Sequence, residues 1–440
     1  MRLCYTEVRR VVMVQQRQTQ KTEELYSSQV IFYSLNKKFS MYVQCRIELD
    51  EQIDRNQMQK AADETISRYP YFRVMLSRIG ERYVLENNDA PFLVYDDPEK
   101  PTLEPDKNNR YLIRISASGT LLNICFCHAL TDGRGIFPFV KTLLYYYAVQ
   151  QYKIDPQMKD VRLAGEPVSE EEINDPYLAF DASSADMASL RENQELVFRL
   201  PDQDDPSGTY FIHTFHTDCK GFMDFAHNVD GSPNALSVLF LYRMLVKLFP
   251  EHAKDIVVSV AVDMRKALGV SNSHHCSVSI IPMRYDERMT AMSTDKVETV
   301  IRGRIIVGSD DDRLAQSIAG AKYFYGYVSS MKTLAEKTAA SAAATEKGSE
   351  SFTAAVSYPG QQDYGMMNNH IKSFYILANN RVPMLDIEIA SFGKDFYFAV
   401  LQGFDDDRYA DELKKQMEAE GIRCCDYRKQ IIPNVPFMDL

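Results

Sequence analysis

The stretch LLNICFCHALTDGRGIFPFVKTLL, Leu121–Leu144, passes from an apolar run to a helical pattern through His128-Ala129-Leu130-Thr131-Asp132-Gly133. Leu121–Cys127 reads as a buried strand, and the spacing predicts a helix over Gly135–Gln151. A histidine at the end of such a strand is held on a rigid element yet can face a cleft, which suits a proton-transfer group. Imidazole titrates near pH 6.5, so it can take and return protons around neutrality. Of the eight histidines only His128 has an aspartate four residues on, Asp132, in a loop that reads as tight enough to need Gly133. The plainer reading of the same residues is a core histidine, with Asp132 capping the next helix.

Working outward, residues 1–25 are polar and aperiodic and read as a flexible leader. MYVQCRIELD (Met41–Asp50) reads as a strand. Met58, Ala61, Ala62, Ile66 and Tyr69 follow at helical spacing behind Asp54 as cap. RYPYFRVMLSRIGERYVLENN then reads as a helix end, a proline break and a hairpin turning near Ile79–Glu81, and Tyr111–Ala117 is a strand beside Leu121–Cys127. Tyr152–Asp205 carries acidic clusters and scattered prolines without sustained periodicity. Beyond that stretch the pattern is replayed: a strand at Tyr210–Thr217, a Ser232-Pro233 helix start, buried-type strands at Asp255–Val262 and Val278–Met283, and a mostly helical stretch over 290–350. Strands return at Phe352–Ser357, Ile371–Ala378, Met384–Ala390 and Phe396–Gln402, and a helix over Asp406–Gly421 closes the chain. The expected architecture is α/β: two similar sandwich lobes with mixed, largely antiparallel sheets. The expected division is a leader (1–25), a first lobe carrying the histidine motif (26–160), a crossover (161–205) and a second lobe (206–440).

Composition narrows the function classes. Fifty Lys and Arg against 61 Asp and Glu leave a net charge of −11 over 440 residues, the wrong sign for a nucleic-acid or anionic-membrane binder. No apolar run approaches the roughly 20 residues that span a bilayer, and Val11–Val14 is too short for a signal segment. The eight cysteines are sparse, and several sit in apolar runs where Cys acts as a small hydrophobe, which points to a reducing, cytoplasmic compartment.

HALTDG resembles the HHxxxDG motif shared by chloramphenicol acetyltransferases, peptide-synthetase condensation domains and alcohol acetyltransferases. Plant-type acyltransferases share its shorter HxxxD form. ISRYPYFR resembles the end of these families' first helix, AVDMRKALG resembles their second-lobe strand and arginine turn, and SFGKDFYFAV occupies the place of a late hairpin. The resemblance covers roughly residues 28–430. Two departures stand out: Cys127 replaces the first histidine of the pair, and Ser391-Phe392-Gly393-Lys394-Asp395 lacks the leading aspartate of the plant form.

The resemblance implies a chloramphenicol-acetyltransferase-like pseudo-dimer with a tunnel between the lobes. It implies an acyltransferase that moves an acyl group from acyl-coenzyme A, as co-substrate, to a small-molecule alcohol or amine. No cofactor is held. His128 is then the general base, and Asp132 turns away from substrate to pair with Arg265 and fix the loop with Gly133. Thr131 or Ser277 is the candidate oxyanion donor. An acyl carrier protein as donor is the alternative partner, and a binding or scaffolding protein of the same fold is a third reading. The internal duplication suggests a monomer. A zinc site on Cys125, Cys127 and His128 is disfavoured, because a strand points the two cysteines to one face and the histidine to the other. His274-His275-Cys276 reads as a strand edge or loop, and Cys424-Cys425 as small hydrophobes. No metal is expected.

Overall fold

The computed structural model describes residues 22–35, 40–98, 103, 105–178, 180–181, 183, 197–201, 209–252, 255–379 and 385–432. The first half runs β1 (Thr22–Glu24), β2 (Tyr42–Leu49), α1 (Arg55–Arg68), β3 (Val74–Ile79), β4 (Arg82–Asn87), β5 (Val94–Tyr95), β6 (Ile113–Ser118), β7 (Leu121–Cys127) and α2 (Gly133–Tyr147). A short α3 (Glu170–Ile173) lies in the crossover. The second half runs β8 (Tyr210–Asp218), α4 (Cys219–Asn228), α5 (Pro233–Leu248), β9 (Val257–Asp263), α6 (Arg265–Leu268), β10 (Val278–Arg284), α7 (Thr294–Gly308), α8 (Asp311–Ser329) and α9 (Leu334–Ser349). It ends with β11 (Ala354–Ser357), β12 (Gln361–Gln362), β13 (Ile371–Asn379), β14 (Leu385–Phe392), β15 (Asp395–Gln402), α10 (Arg408–Ala419) and β16 (Cys425–Ile432).

Helices start where the sequence offers caps. Asp54 accepts from the Asn56 and Gln57 amides, and α1 buries Met58, Ala61, Ala62, Thr65 and Ile66 on one stripe before Pro70 ends it. Ser232 caps α5, which opens on Pro233 and buries an unbroken run from Ala235 to Tyr242, so this helix lies inside the second core. No helix among the described residues is long and apolar enough to cross a membrane.

The strands form a five-stranded sheet, β13-β2-β7-β6-β5, an eight-stranded sheet, β10-β9-β11-β14-β15-β8-β16 with β12 beside β14, and a small β1-β4-β3 sheet. Pairing is antiparallel except at β11, which runs parallel to β9 and β14, at β12 against β14, and at β5 against β6. Two large apolar cores follow. One joins α1, α2 and the five-stranded sheet, and the other joins α5, α7 and the eight-stranded sheet.

Three features depart from the expected division. β13, assigned by chain order to the second lobe, pairs along the whole of β2 and completes the first sheet. Its alternation is compatible with either sheet, and only the long-range partner decides. Thr22–Glu24, expected in the leader, pairs with Val84–Glu86, while residues 1–21 lie outside the described residues. Finally, the last helix of the 290–350 stretch, α9, is capped by Thr333 and is seated on residues 27–34 of the first half through Ser341, whose hydroxyl bonds Ser34 at 3.2 Å. The crossover is anchored at its start: buried Glu172 receives Arg68, Arg162 and Tyr71.

Candidate active site

β7 delivers His128 at the rim of the first sheet. The His128 amide donates to the Met41 carbonyl at 2.9 Å, and the Cys127 carbonyl receives the Leu130 amide at 3.0 Å, so the chain turns sharply after the strand. Cys127 and Ala129 are buried, whereas His128 keeps part of its surface exposed. Its Nδ1 lies 3.2 Å from the Thr131 carbonyl oxygen. A carbonyl can only accept, so Nδ1 carries the proton and donates it. In the neutral ring Nε2 is therefore the lone-pair nitrogen, and it has no hydrogen-bond partner among the described residues. Burial pushes the Cys127 thiol up to about 12, so the residue in place of the first motif histidine is a neutral core side chain.

Asp132 and Arg265 meet across the lobes. The guanidinium spans both carboxylate oxygens, Nη1 to Oδ2 at 3.0 Å and Nη2 to Oδ1 at 2.8 Å. The Gly135 and Ser277 amides each add a bond of 2.8 Å. Asp132 is thus both the cap of α2 and the acceptor of a fork-shaped ion pair. Burial raises its carboxyl, but Arg265 and the two amides outweigh burial and hold it below its usual value. Arg265 is fixed in turn by Asp263 at 2.9 Å and by the Ser273 and His275 carbonyls. Burial works against its charge, yet Asp132 and Asp263 raise its pKa overall.

Other expected roles change. The Thr131 hydroxyl donates to the His274 carbonyl at 2.6 Å and is fully buried. The Ser277 hydroxyl donates to the His275 carbonyl at 3.2 Å and is equally buried. Neither hydroxyl is therefore free to serve as the oxyanion donor. Both are turned inward because the 273–277 turn presents its carbonyls to them. The tight point of the loop is Gly135 rather than Gly133. A Cβ on Gly135 would stand 2.3 Å from both the His274 oxygen and the Thr131 hydroxyl, whereas on Gly133 it would make ordinary 3.7 Å contacts.

His274 and Glu172 were not singled out as partners, yet they connect the loop to the crossover. The His274 Nδ1 bonds the Glu172 carbonyl, and its ring stacks on Tyr71 with centroids 4.2 Å apart. Burial holds His274 well below its ordinary pKa, so it is a neutral structural ring. A second missed residue is Glu388 on β14, a buried carboxyl within electrostatic reach of His128. Its signal was present in LDIEIASF, where Glu388 stands between the apolar Ile387 and Ile389, two residues after Asp386.

No protein-family model matches the sequence. No curated protein matches it either. Solved structures do match over nearly the whole chain. The condensation domain of the Monacolin K polyketide synthase MokA superposes with TM-score 0.60 at 12% identity, covering 91% of this chain and 96% of that one. TRI101 of F. graminearum, complexed with coenzyme A and T-2 mycotoxin, gives 0.59 at 13%, covering 92% and 99%. TRI3 trichothecene 15-O-acetyltransferase from Fusarium sporotrichioides gives 0.58 at 11%, covering 91% and 95%. The chain has the chloramphenicol-acetyltransferase-like fold of these proteins.

Proposed function

We propose that this protein is an acyltransferase that moves an acyl group from acyl-coenzyme A to an alcohol or amine, with His128 as general base. The observation that carries the reading is the Nδ1–H bond from His128 to the Thr131 carbonyl, which leaves Nε2 as the basic nitrogen on a partly exposed ring. Similarity in fold to acetyltransferases and condensation domains supports the reaction class.

The chemistry balances without an enzyme-bound intermediate. Nε2 takes the proton of the acceptor O–H or N–H as that atom bonds to the thioester carbon. The tetrahedral intermediate collapses with loss of the C–S bond, and the imidazolium returns the proton to the departing thiolate. Asp132 does not touch substrate in this scheme. Paired with Arg265 and bonded to the Gly135 amide, it is a positioning residue that pins the start of α2 and so the loop bearing His128. No nucleophilic Ser or Cys is required.

The test is release of free thiol from acetyl- and longer acyl-coenzyme A against a panel of alcohols and amines, comparing the protein with His128→Ala. Release that depends on acceptor and disappears in the variant is expected. Equal release from both proteins would remove His128 from the mechanism. The likeness to condensation domains favours one second reading, in which a carrier protein presents the thioester to the same histidine. Turnover with a carrier-bound thioester but not with free acyl-coenzyme A would select it.

A further inference from the structure

On β14, Leu385, Ile387 and Ile389 belong to the second core. Successive strand side chains alternate, so Glu388 and Ala390 face the other way, and Ala390 packs in the first core. Glu388 is 7% exposed. Its direct neighbours across the sheet are Ala399 on β15 and Ser357 on β11, both short, and Ser357 hydrogen-bonds to the carboxyl. Two residues beyond Ser357, Pro359 lies 3.7 Å from the place a Cβ on Gly133 would occupy. The carboxyl thus stands on the interlobe side, next to the strand end that touches the His128 loop. Burial and the neighbouring Asp386 push it up to about 8. Ser357 and His128 work in the opposite direction, and neither is a lysine or arginine.

A carboxyl in this position has a chemical consequence. Ionised, it would be an under-compensated buried charge, which folds avoid unless a partner arrives. A neutral hydroxyl compensates little, whereas an ammonium compensates fully. Once ionised by such a partner, the carboxylate would repel the oxyanion that forms on the thioester carbonyl, so the partner belongs to the acceptor rather than to the donor. Resting on the acyl-transfer reading above, we infer that Glu388 selects an acceptor carrying a cationic nitrogen, a diamine rather than a neutral alcohol, by pairing with that nitrogen beside His128. One nitrogen binds Glu388 as ammonium while the other, as free amine, loses its proton to Nε2 during attack.

The experiment compares 1,4-diaminobutane, 1-butylamine and 1-butanol as acceptors with acetyl-coenzyme A, in the native protein, Glu388→Gln and His128→Ala. Glutamine keeps the size and the Ser357 bond and removes only the charge. The expected loss in kcat/KM for the diamine is about 100-fold in Glu388→Gln, the scale for deleting one partner of a buried charge pair, with less than about a threefold change for butanol. Titration calorimetry with 1,4-diaminobutane reads the same contact without turnover: binding should vanish in Glu388→Gln and persist in His128→Ala. Diamine binding and turnover unchanged in Glu388→Gln, or equal losses on all three acceptors, would overturn the inference. Unaltered thiol release in His128→Ala would instead overturn the base assignment while leaving the calorimetric result standing.

Discussion

Replacing Asp132 with asparagine tests the interlobe pin most directly. The carboxylate is 2% exposed and accepts four bonds, two from Arg265 and one each from the Gly135 and Ser277 amides. Each oxygen receives one guanidinium nitrogen and one amide. Asparagine turns one of these oxygens into an N–H2 donor, which then faces two other donors, so two bonds become repulsions whichever way the amide flips. Breaking a buried pair by removing one partner costs about 3–5 kcal/mol. Arg265 keeps Asp263 at 2.9 Å and two carbonyls, which places the expected loss near the lower end, about 3 kcal/mol. Urea unfolding of the native protein, Asp132→Asn, Arg265→Met and the double variant measures it, and the coupling term of that cycle isolates the pair. The pH dependence has a definite sign. The folded-state carboxyl lies below its unfolded value, so its stabilisation is present at neutral pH and is lost as the pH falls below about 4. A variant within about 0.5 kcal/mol of the native protein, with no coupling to Arg265, would refute the reasoning.

Further outcomes follow from single residues. His128→Ala should lower acceptor-dependent thiol release about 10²–10⁴-fold while leaving the melting temperature near the native value, because the ring makes one bond and is partly exposed; a loss of thiol release under about 10-fold would contradict its role. Gly135→Ala forces a methyl to within 2.3 Å of the His274 carbonyl and the Thr131 hydroxyl, so thermal melting should show a loss of about 1–3 kcal/mol, whereas Gly133→Ala should be near neutral. Glu298 is wholly buried with neither carboxylate oxygen hydrogen-bonded among the described residues, and burial pushes it up to about 8, with Arg243 and Arg302 opposing. A raised folded-state pKa gives stability that is complete below the unfolded value and declines as pH rises toward about 8, by at most roughly 5 kcal/mol. Denaturation from pH 5 to pH 9 should show that decline in the native protein and a flatter profile in Glu298→Gln; identical profiles would exclude Glu298 as the cause.

The contrast between what was legible in the sequence and what was not follows the range of the interaction. His128, its strand and the Asp132 cap are local, and all three could be read from LLNICFCHALTDG. Arg265 was reached only through a resemblance, since no local pattern says that a side chain 133 residues away will fork onto Asp132. The oxyanion assignment of Thr131 and Ser277 failed for the same reason in reverse: a hydroxyl's partner depends on which carbonyls the 273–277 turn aims at it. β13 carries the period of a strand but not the identity of the sheet that receives it. Glu388 was half legible, as a carboxyl between Ile387 and Ile389 in a strand whose other face depended on the facing lobe.

These long-range contacts share one consequence. The base is mounted on the first sheet, but the fork that pins its loop, the carbonyl that takes the Thr131 hydroxyl and the buried Glu388 all come from the second half of the chain. β13 is itself a second-half strand built into the first sheet, so the two halves are tied through the backbone ladder as well as through the site. Opening of the interlobe contact would separate Asp132 from Arg265 and Thr131 from His274, and it would also draw Ala390, Phe392 and Tyr397 of the second sheet out of the first apolar core. The free energy that holds the imidazole in aim is thus shared with the first core, and activity should be lost as that core opens. Thiol release and the tyrosine fluorescence of the first core should therefore fall together in a urea titration. Loss of thiol release at concentrations where the fluorescence is unchanged would mean that the site opens independently of the core.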